Sequence, residues 1–281
     1  MLRQLLKEKG HVLVGGAWDV LSAKLFKKAG FDAVHMNSFC VAGINGVPDV
    51  GLITWLEYLE YTRRMVAIAE IPVVVDAEQG FGYRNVAAHT FSEFERVGMA
   101  AFQIDDRGID ENGVVNLCPY LGKPDVVPLN QIVGKIEAVV KARRNPEVMI
   151  IGRSAANYRY GFDEMMRRLK AFKEAGVDAL WPSVQKSSDL MRVAEAFPDI
   201  PLCVSLTPYK EKEFKVLTVD AARKLGFSMI FFSTTIFFKA IKEAYEAALL
   251  LKKTGDTRSI WPDEYWEDQF LEMVDLNRKW K

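Results

Sequence analysis

The chain has 281 residues, 49% of them hydrophobic and 26% charged, which excludes a disordered or fibrous protein and fits one large globular domain or two small ones. Lysine plus arginine equals aspartate plus glutamate at 37 each, so no net field would hold the chain to nucleic acid or to an anionic membrane. The first ten residues turn charged before a signal-peptide core forms, and no apolar run exceeds strand length, so a soluble, cytoplasmic protein is expected.

Short apolar runs recur along the chain at 12–14, 33–37, 73–76, 100–105, 148–151, 179–183, 202–205 and 229–233. Four of them directly follow an amphipathic segment that ends in glycine: Lys28-Ala-Gly-Phe-Asp-Ala-Val34, Arg96-Val-Gly-Met-Ala-Ala-Phe102, Glu174-Ala-Gly-Val-Asp-Ala-Leu180 and Lys224-Leu-Gly-Phe-Ser-Met-Ile230. A glycine closes a helix at little steric cost, and the β-branched and aromatic residues after it suit a strand buried on both faces. Eight such units in about 250 residues predict an α/β fold, a (β/α)8 TIM barrel, over residues 1–254. An open doubly wound sheet is the competing layout, but no Gly-x-Gly-x-x-Gly follows the first strand. Residues 255–281 read as a C-terminal helical tail that starts near Trp261-Pro-Asp-Glu and carries Trp266, Phe270, Met273 and Trp280. That aromatic set needs a surface to bury against, either this barrel or a neighbouring subunit. Cys40, Cys118 and Cys203 are odd in number and far apart, which fits reduced thiols rather than a disulfide framework.

Barrels of this kind build their sites at the carboxyl ends of the strands, so the polar residues that end the apolar runs are the candidates. They are Asn37 and Ser38 after the second run, Asp76 and Glu78 after the third, Asp105 after the fourth, Arg153 on the fifth and Ser183 on the sixth, with Asp49 in the loop Gly46-Val-Pro-Asp-Val. Any one of these acids would serve equally well as a helix cap. Asp49, Asp76, Glu78 and Asp105 gathered in one dry mouth would instead repel one another unless a cation stood among them, and an all-oxygen set favours Mg²⁺ or Mn²⁺ over Zn²⁺. Arg153 would then pair with the carboxylate of a small acid.

These residues resemble the isocitrate lyase and phosphoenolpyruvate mutase superfamily. Asp76-Ala-Glu-Gln-Gly-Phe-Gly82 is similar to its Asp-(Ala/Gly)-Asp-x-Gly-(Phe/Tyr)-Gly motif, Val47-Pro-Asp49 to its Leu-Pro-Asp loop, Ile104-Asp-Asp106 to its (Ile/Leu)-Glu-Asp, and Ile150-Ile-Gly-Arg-Ser154 to its Ile-Ala-Arg-Thr strand. The Ala29-Gly-Phe-Asp-Ala entry and Gly16-Ala-Trp-Asp19 resemble its opening. The resemblance implies a barrel whose eighth helix is exchanged between subunits of a homo-oligomer, a dimer or tetramer. It implies Mg²⁺ held directly by Asp76 and, largely through water, by Glu78, Asp105 and Asp49. It places Asn37, Ser38 and Phe39 against a 2-oxo carboxylate and brings Arg153 to the substrate. It also implies an enolate stabilised by the metal and by fixed hydrogen-bond donors.

The chain departs from the pattern in its loops. The lyases carry Lys-(Lys/Arg)-Cys-Gly-His, where this chain has Asn116-Leu-Cys-Pro-Tyr120 after an insertion, Gly108-Ile-Asp-Glu-Asn-Gly113. Cys118 stands ten residues before Pro128, as the lyase cysteine does before its own Val-Pro, so it is the candidate general acid. Its basic partners are missing. Trp181-Pro-Ser-Val-Gln-Lys186 shares a serine and a lysine with the mutase branch, and Ala155 replaces an acid. His35 lies on the second run, where it is a packed residue or an added member of the site. The expectation is a Mg²⁺-dependent carbon–carbon lyase of a small 2-hydroxy or 2-oxo di- or tricarboxylate. Two alternatives stay open: a carbon–phosphorus enzyme acting on a phosphonate, and a non-catalytic metabolite-binding barrel.

Overall fold

The computed structural model describes residues 2–109, 124–184, 186–207, 218–261 and 264–274. Among them the elements run α1 (Leu2–Lys9), β1 (Val12–Ala17), α2 (Val20–Lys28), β2 (Ala33–Met36), α3 (Ser38–Ile44), α4 (Trp55–Ile68), β3 (Val73–Asp76), α5 (Arg84–Arg96), β4 (Ala101–Asp105), α6 (Leu129–Ala142), β5 (Met149–Ser154), α7 (Asn157–Tyr160), α8 (Phe162–Glu174), β6 (Ala179–Pro182), α9 (Ser187–Ala196), β7 (Cys203–Ser205), α10 (Val219–Lys224), β8 (Met229–Phe232), α11 (Thr235–Thr254) and α12 (Glu264–Met273). The strands pair in parallel in the order β6-β5-β4-β3-β2-β1-β8-β7. The ring closes between β6 and the approach to β7 through a parallel bridge, Leu180 to Leu202, with the Leu180 N–H donating to Pro201 O at 3.0 Å. The architecture is the (β/α)8 barrel expected from the spacing of the apolar runs.

Alternate residues of a strand face opposite sides, so each run divides into a lumen set and a helix-facing set. Val12, Val14, Ala33, Val74, Ala101, Met149, Ile151, Ala179, Trp181, Cys203, Met229 and Phe231 fill the lumen, with Leu2 of α1 joining them. Val34, Met36, Val75, Phe102, Ile104, Ile150, Leu180 and Ile230 face outward into a shell of helix residues that includes Phe91, Phe94, Ile132, Leu169 and Phe172. The lumen columns become polar at their carboxyl ends, at His35, Asp76, Gln103, Asp105 and Arg153. The same period splits the pair Asp105-Asp106: Asp105 turns into the mouth and Asp106 turns out toward α8.

β1 runs three residues beyond the apolar segment that marks it, through Gly15 and Gly16 to Ala17. A Cβ on Gly16 would lie 1.8 Å from the backbone oxygen of Ser233 and has no side chain to push aside. Gly16→Ala is therefore expected to destabilise the fold by about 3 kcal/mol or more, read as a lowered urea midpoint; an unchanged midpoint would show that β8 can move away.

α11 ends at Gly255, which is left-handed (φ 64°) and donates its N–H to Leu251 O at 2.8 Å. α12 lies on α2, where Lys24 Nζ donates to Met273 O at 2.5 Å and Lys28 pairs with Glu272 at 2.6 Å. Met273 is buried there, whereas Trp266 and Phe270 remain exposed, and Trp280 lies outside the described residues. Among the described residues no helix is long and apolar enough to cross a membrane.

Candidate active site

Asp76 ends β3 at the centre of the barrel mouth. Its Oδ2 accepts from Ser38 Oγ at 3.0 Å and its Oδ1 from Gln103 Nε2 at 2.8 Å, while His35 Nε2 stands 4.0 Å from Oδ2. The chain then turns sharply. Glu78, Gly80 and Phe81 all take positive φ, at 49°, 82° and 61°, and a Cβ on Gly80 would come within 2.8 Å of Ala87 Cβ. Left-handed backbone in non-glycine residues persists only where the surroundings hold it. Here Tyr58 donates its hydroxyl to Glu78 Oε1 at 3.2 Å, the Asp105 N–H donates to Glu78 O at 2.6 Å, and Lys135 Nζ on α6 donates to Gln79 O at 2.9 Å. Phe81 stacks on Phe94 with centroids 6.2 Å apart.

Asp105 Oδ1 accepts the Arg107 N–H at 3.0 Å, and its Oδ2 faces Arg107 Nε at 3.4 Å. Burial by itself would lower the Arg107 pKa, but Asp105, Asp76 and Asp49 more than reverse that and hold the guanidinium charged. Asp49 is buried in the loop between α3 and α4, and its Oδ1 has no partner. Burial first, then the charge of Asp76, pushes its carboxyl up to about 7; Arg107 and Arg153 pull the other way. Burial and the neighbouring Asp49, Asp76 and Asp105 likewise raise Glu78 well above the carboxylate range. The four acids of the sequence reading thus share one low-dielectric mouth, in which the charges of Asp76 and Asp105 oppose the ionisation of Asp49 and Glu78.

Arg153, on the lumen side of β5, sets its guanidinium carbon 4.9 Å from the centroid of the Trp181 ring, and its Nε is buried without a partner. His35 Nε2, Gln103 Oε1 and Ser183 Oγ are also buried and partnerless. Unpaired buried polar atoms are costly, and their grouping at the carboxyl ends of neighbouring strands marks a place for a polar ligand. Asn37 caps α3, its Oδ1 accepting the Cys40 N–H at 3.0 Å, and its Nδ2 meets His35 Nδ1 at 3.4 Å. The Phe39 ring packs toward α11, 5.7 Å from Phe238. Cys118 lies outside the described residues.

Behind the mouth, the outward-facing Asp106 accepts from Ser154 Oγ and the Ala155 N–H, both at 2.7 Å, and from Arg168 Nη1 at 3.3 Å. This network ties the end of β4 to the end of β5 and to α8. Three residues that the sequence reading did not single out join the site, Tyr58, Gln103 and Arg168, along with Arg107, which the end of the fourth run, Asp105-Asp106-Arg107, already offered. Gln103 was within reach of the period-two rule, two residues before Asp105 on one strand. Tyr58 arrives from α4 with no sequence mark that separates it from a core tyrosine.

The metal-free site has a signature in stability. A carboxyl raised from about 4 to about 7 keeps its proton in the folded state over a range where the unfolded chain has released it, so its contribution falls as pH rises through that window. His35, whose pKa burial lowers to about 4, acts in the opposite sense up to its ordinary value. Comparison with Asp49→Asn isolates the carboxyl. Wild-type protein without metal is expected to lose on the order of 4 kcal/mol relative to the variant between pH 4 and 7, with no further change above. Parallel urea-stability curves for the two proteins would show instead that Asp49 ionises normally.

Residues 2–251 match the family model described as phosphoenolpyruvate phosphomutase. The chain belongs to this phosphoenolpyruvate phosphomutase family. The family is part of the isocitrate lyase and phosphoenolpyruvate mutase superfamily to which the sequence motifs pointed. Among its curated relatives, 2,3-dimethylmalate lyase of Eubacterium barkeri is 29% identical over 279 residues, covering 99% of this chain and 94% of the relative. The 2-methylisocitrate lyase of Aeropyrum pernix is 28% identical over 274 residues, covering 98% and 86%. A crystal structure of 2,3-dimethylmalate lyase superposes with a TM-score of 0.88 at 25% identity, over 98% of this chain and 91% of that one. The phosphoenolpyruvate phosphomutase family fold therefore accounts for the barrel from α1 into α11, and the relatives for the length of the chain beyond it.

Proposed function

We propose that the protein is a Mg²⁺-dependent carbon–carbon lyase that cleaves a small 2-hydroxy di- or tricarboxylate, or joins the products in reverse. The observation that carries this reading is the mouth itself. Four buried carboxyl groups and two guanidiniums gather at the barrel mouth, with five buried polar atoms left unpartnered among its residues. Two full-length relatives that cleave such acids, by their names, support the choice of bond.

The donor set suits a hard divalent ion: all-oxygen, mutually repelling, and with the partnerless Asp49 Oδ1 aimed into the site. Among the described residues no three acidic, histidine or cysteine side chains are already drawn together as a chelate. Mg²⁺ takes one or two protein carboxylates and keeps most of its water, so it does not require such a chelate. Asp76 would be the direct ligand, with Glu78 and Asp105 acting through water. When bound, the ion supplies Lewis-acid stabilisation of the negative oxygen that develops during cleavage.

The chain's own groups do the rest. Arg153 holds a substrate carboxylate as a fork, and the unpartnered Ser183 hydroxyl donates to the same acid. Asp49, with a carboxyl near neutrality, is suited to take the proton of the 2-hydroxyl. The bond between carbons 2 and 3 then breaks, its electron pair passing to carbon 3 and into the adjoining carboxylate as an enolate, while carbon 2 becomes the carbonyl of a 2-oxo acid. A proton returned to carbon 3, by Cys118 in this reading, completes the second product. The enzyme works in the cytoplasm as a homo-oligomer.

A substrate panel tests this. With Mg²⁺, dimethylmalate-like or methylisocitrate-like acids are expected to release a 2-oxo acid, and phosphonopyruvate to release no phosphate. Phosphate without 2-oxo acid release from the lyase substrates would move the reading to carbon–phosphorus chemistry. Cys118→Ser is expected to lower turnover about 100-fold with metal binding intact; unchanged turnover would remove Cys118 from the acid role.

A further inference from the structure

His35 is buried on the lumen side of β2, against the rings of Phe231 at 5.3 Å and Trp181 at 5.8 Å. Its proton can be placed from its neighbours. The Cys40 N–H needs an acceptor and finds Asn37 Oδ1 at 3.0 Å, which fixes the amide so that Nδ2, a donor, faces His35 Nδ1 at 3.4 Å. Nδ1 must then be the accepting nitrogen, because a proton there would meet the amide hydrogens head on. The ring hydrogen sits on Nε2. That nitrogen makes no close hydrogen bond in the structure; Asp76 Oδ2 lies 4.0 Å away, and the Gln103 side chain also faces the ring. At that distance the contact is electrostatic rather than a hydrogen bond. Ser38 and Gln103 already hold one hydrogen bond each on the two oxygens of Asp76.

We propose that His35 is a positioning residue for Asp76: held by Asn37 as the Nε2–H tautomer, it donates to the Asp76 carboxylate and fixes the orientation in which Asp76 takes the cation. This rests on the proposed role of Asp76 as the metal ligand. Donors behind a ligating group keep it aimed and ionised, and their loss typically lowers metal affinity 10- to 100-fold. The capped first turn of α3 is thereby linked to the metal ligand through two side chains, Asn37 and His35, neither of which touches the ion.

The chain has three histidines, so ¹⁵N imidazole spectra of the full-length protein resolve His35 by its disappearance in a variant. The wild-type ring is expected to show a protonated Nε2 and a bare Nδ1 at neutral pH. Mn²⁺ binding followed by electron paramagnetic resonance supplies the second readout. His35→Phe is expected to bind Mn²⁺ 10- to 100-fold more weakly than wild type. His35→Gln, whose amide nitrogen can stand where Nε2 stood, should bind within about threefold of it, a rescue that a packing role would not produce. A proton on Nδ1, or His35→Phe binding Mn²⁺ as wild type does, overturns the proposal and leaves the metal reading intact. Wild-type protein that takes up no Mn²⁺ overturns both. The tautomer is read on wild-type protein, so it decides the matter even where a variant fails to fold.

Discussion

Asp76→Asn is expected to abolish the stabilisation that Mg²⁺ confers on thermal unfolding and to lower kcat/KM by about 10³-fold or more. The amide is nearly isosteric with the carboxylate, so the change is one of charge. Two effects on the metal-free protein oppose each other. Removing the Asp76 charge relieves Asp49 and Glu78, whose ionisation it disfavours. Against that, Ser38 Oγ and Gln103 Nε2 both donate to Asp76, and an amide can accept on one side only, leaving a buried donor unmatched at a cost of about 1–3 kcal/mol. The absolute melting temperature is therefore a poor reporter, and the increment on adding Mg²⁺ is the useful one. Wild type should gain stability with rising Mg²⁺ by mass action, and the variant should not. A variant that keeps the increment would show that the cation sits elsewhere.

Arg153→Lys should lower kcat/KM about 100-fold, chiefly through KM, and Arg153→Met should lower it further, to about 10³-fold. Lysine keeps the positive charge but loses the planar fork that grips a carboxylate on two oxygens. The position of the guanidinium supports the difference, since the Trp181 ring lies 4.9 Å from its carbon and restricts how the group can lie. A second readout separates this from a general loosening of the site. Arg153 is one of two cations that hold the Asp49 carboxyl down, so Arg153→Met should move the acidic limb of the pH profile of kcat/KM to higher pH, whereas Arg153→Lys should leave it nearly in place. Mn²⁺ binding should survive in both variants. An unaltered KM with either variant would mean that the substrate carboxylate is held by Arg107 instead.

The barrel was legible in the sequence because its strands are buried on both faces and stand out as apolar runs, each closed by a polar residue. The acids at those ends could be gathered into one mouth for the same reason: in a closed parallel sheet the carboxyl ends of all strands point one way. The division of Asp105 from Asp106 was implicit in the strand period, yet only the register on β5 shows what Asp106 binds, since Ser154, Ala155 and Arg168 come from elements 48 to 62 residues away. Tyr58 and Lys135 were out of reach for a related reason. Each sits on a helix whose face reads as ordinary amphipathic pattern, and each matters through a contact with the turn at Glu78–Gln79 that depends on how α4 and α6 lean on the barrel. The roles of Asn37 and Phe39 show a further limit. Sequence can place a residue at a strand end but cannot say whether its side chain turns to the substrate or, as with Asn37, caps the next helix.

The closure between β6 and β7 gives the barrel an uneven grain. Among the described residues seven strand junctions carry a register of several residues, and this one carries a single bridge, Leu180 to Leu202. Opening there breaks fewer hydrogen bonds than opening anywhere else around the ring, so amide exchange should enter the sheet at this seam first. The acids that line the mouth hang from β3, β4 and the loop after α3, away from the seam, whereas Arg153 on β5 pairs directly with β6, one of the two seam strands. The molecule can thus breathe along one seam while the acids of the mouth keep their places, with the Arg153 side of the site the part nearest the opening.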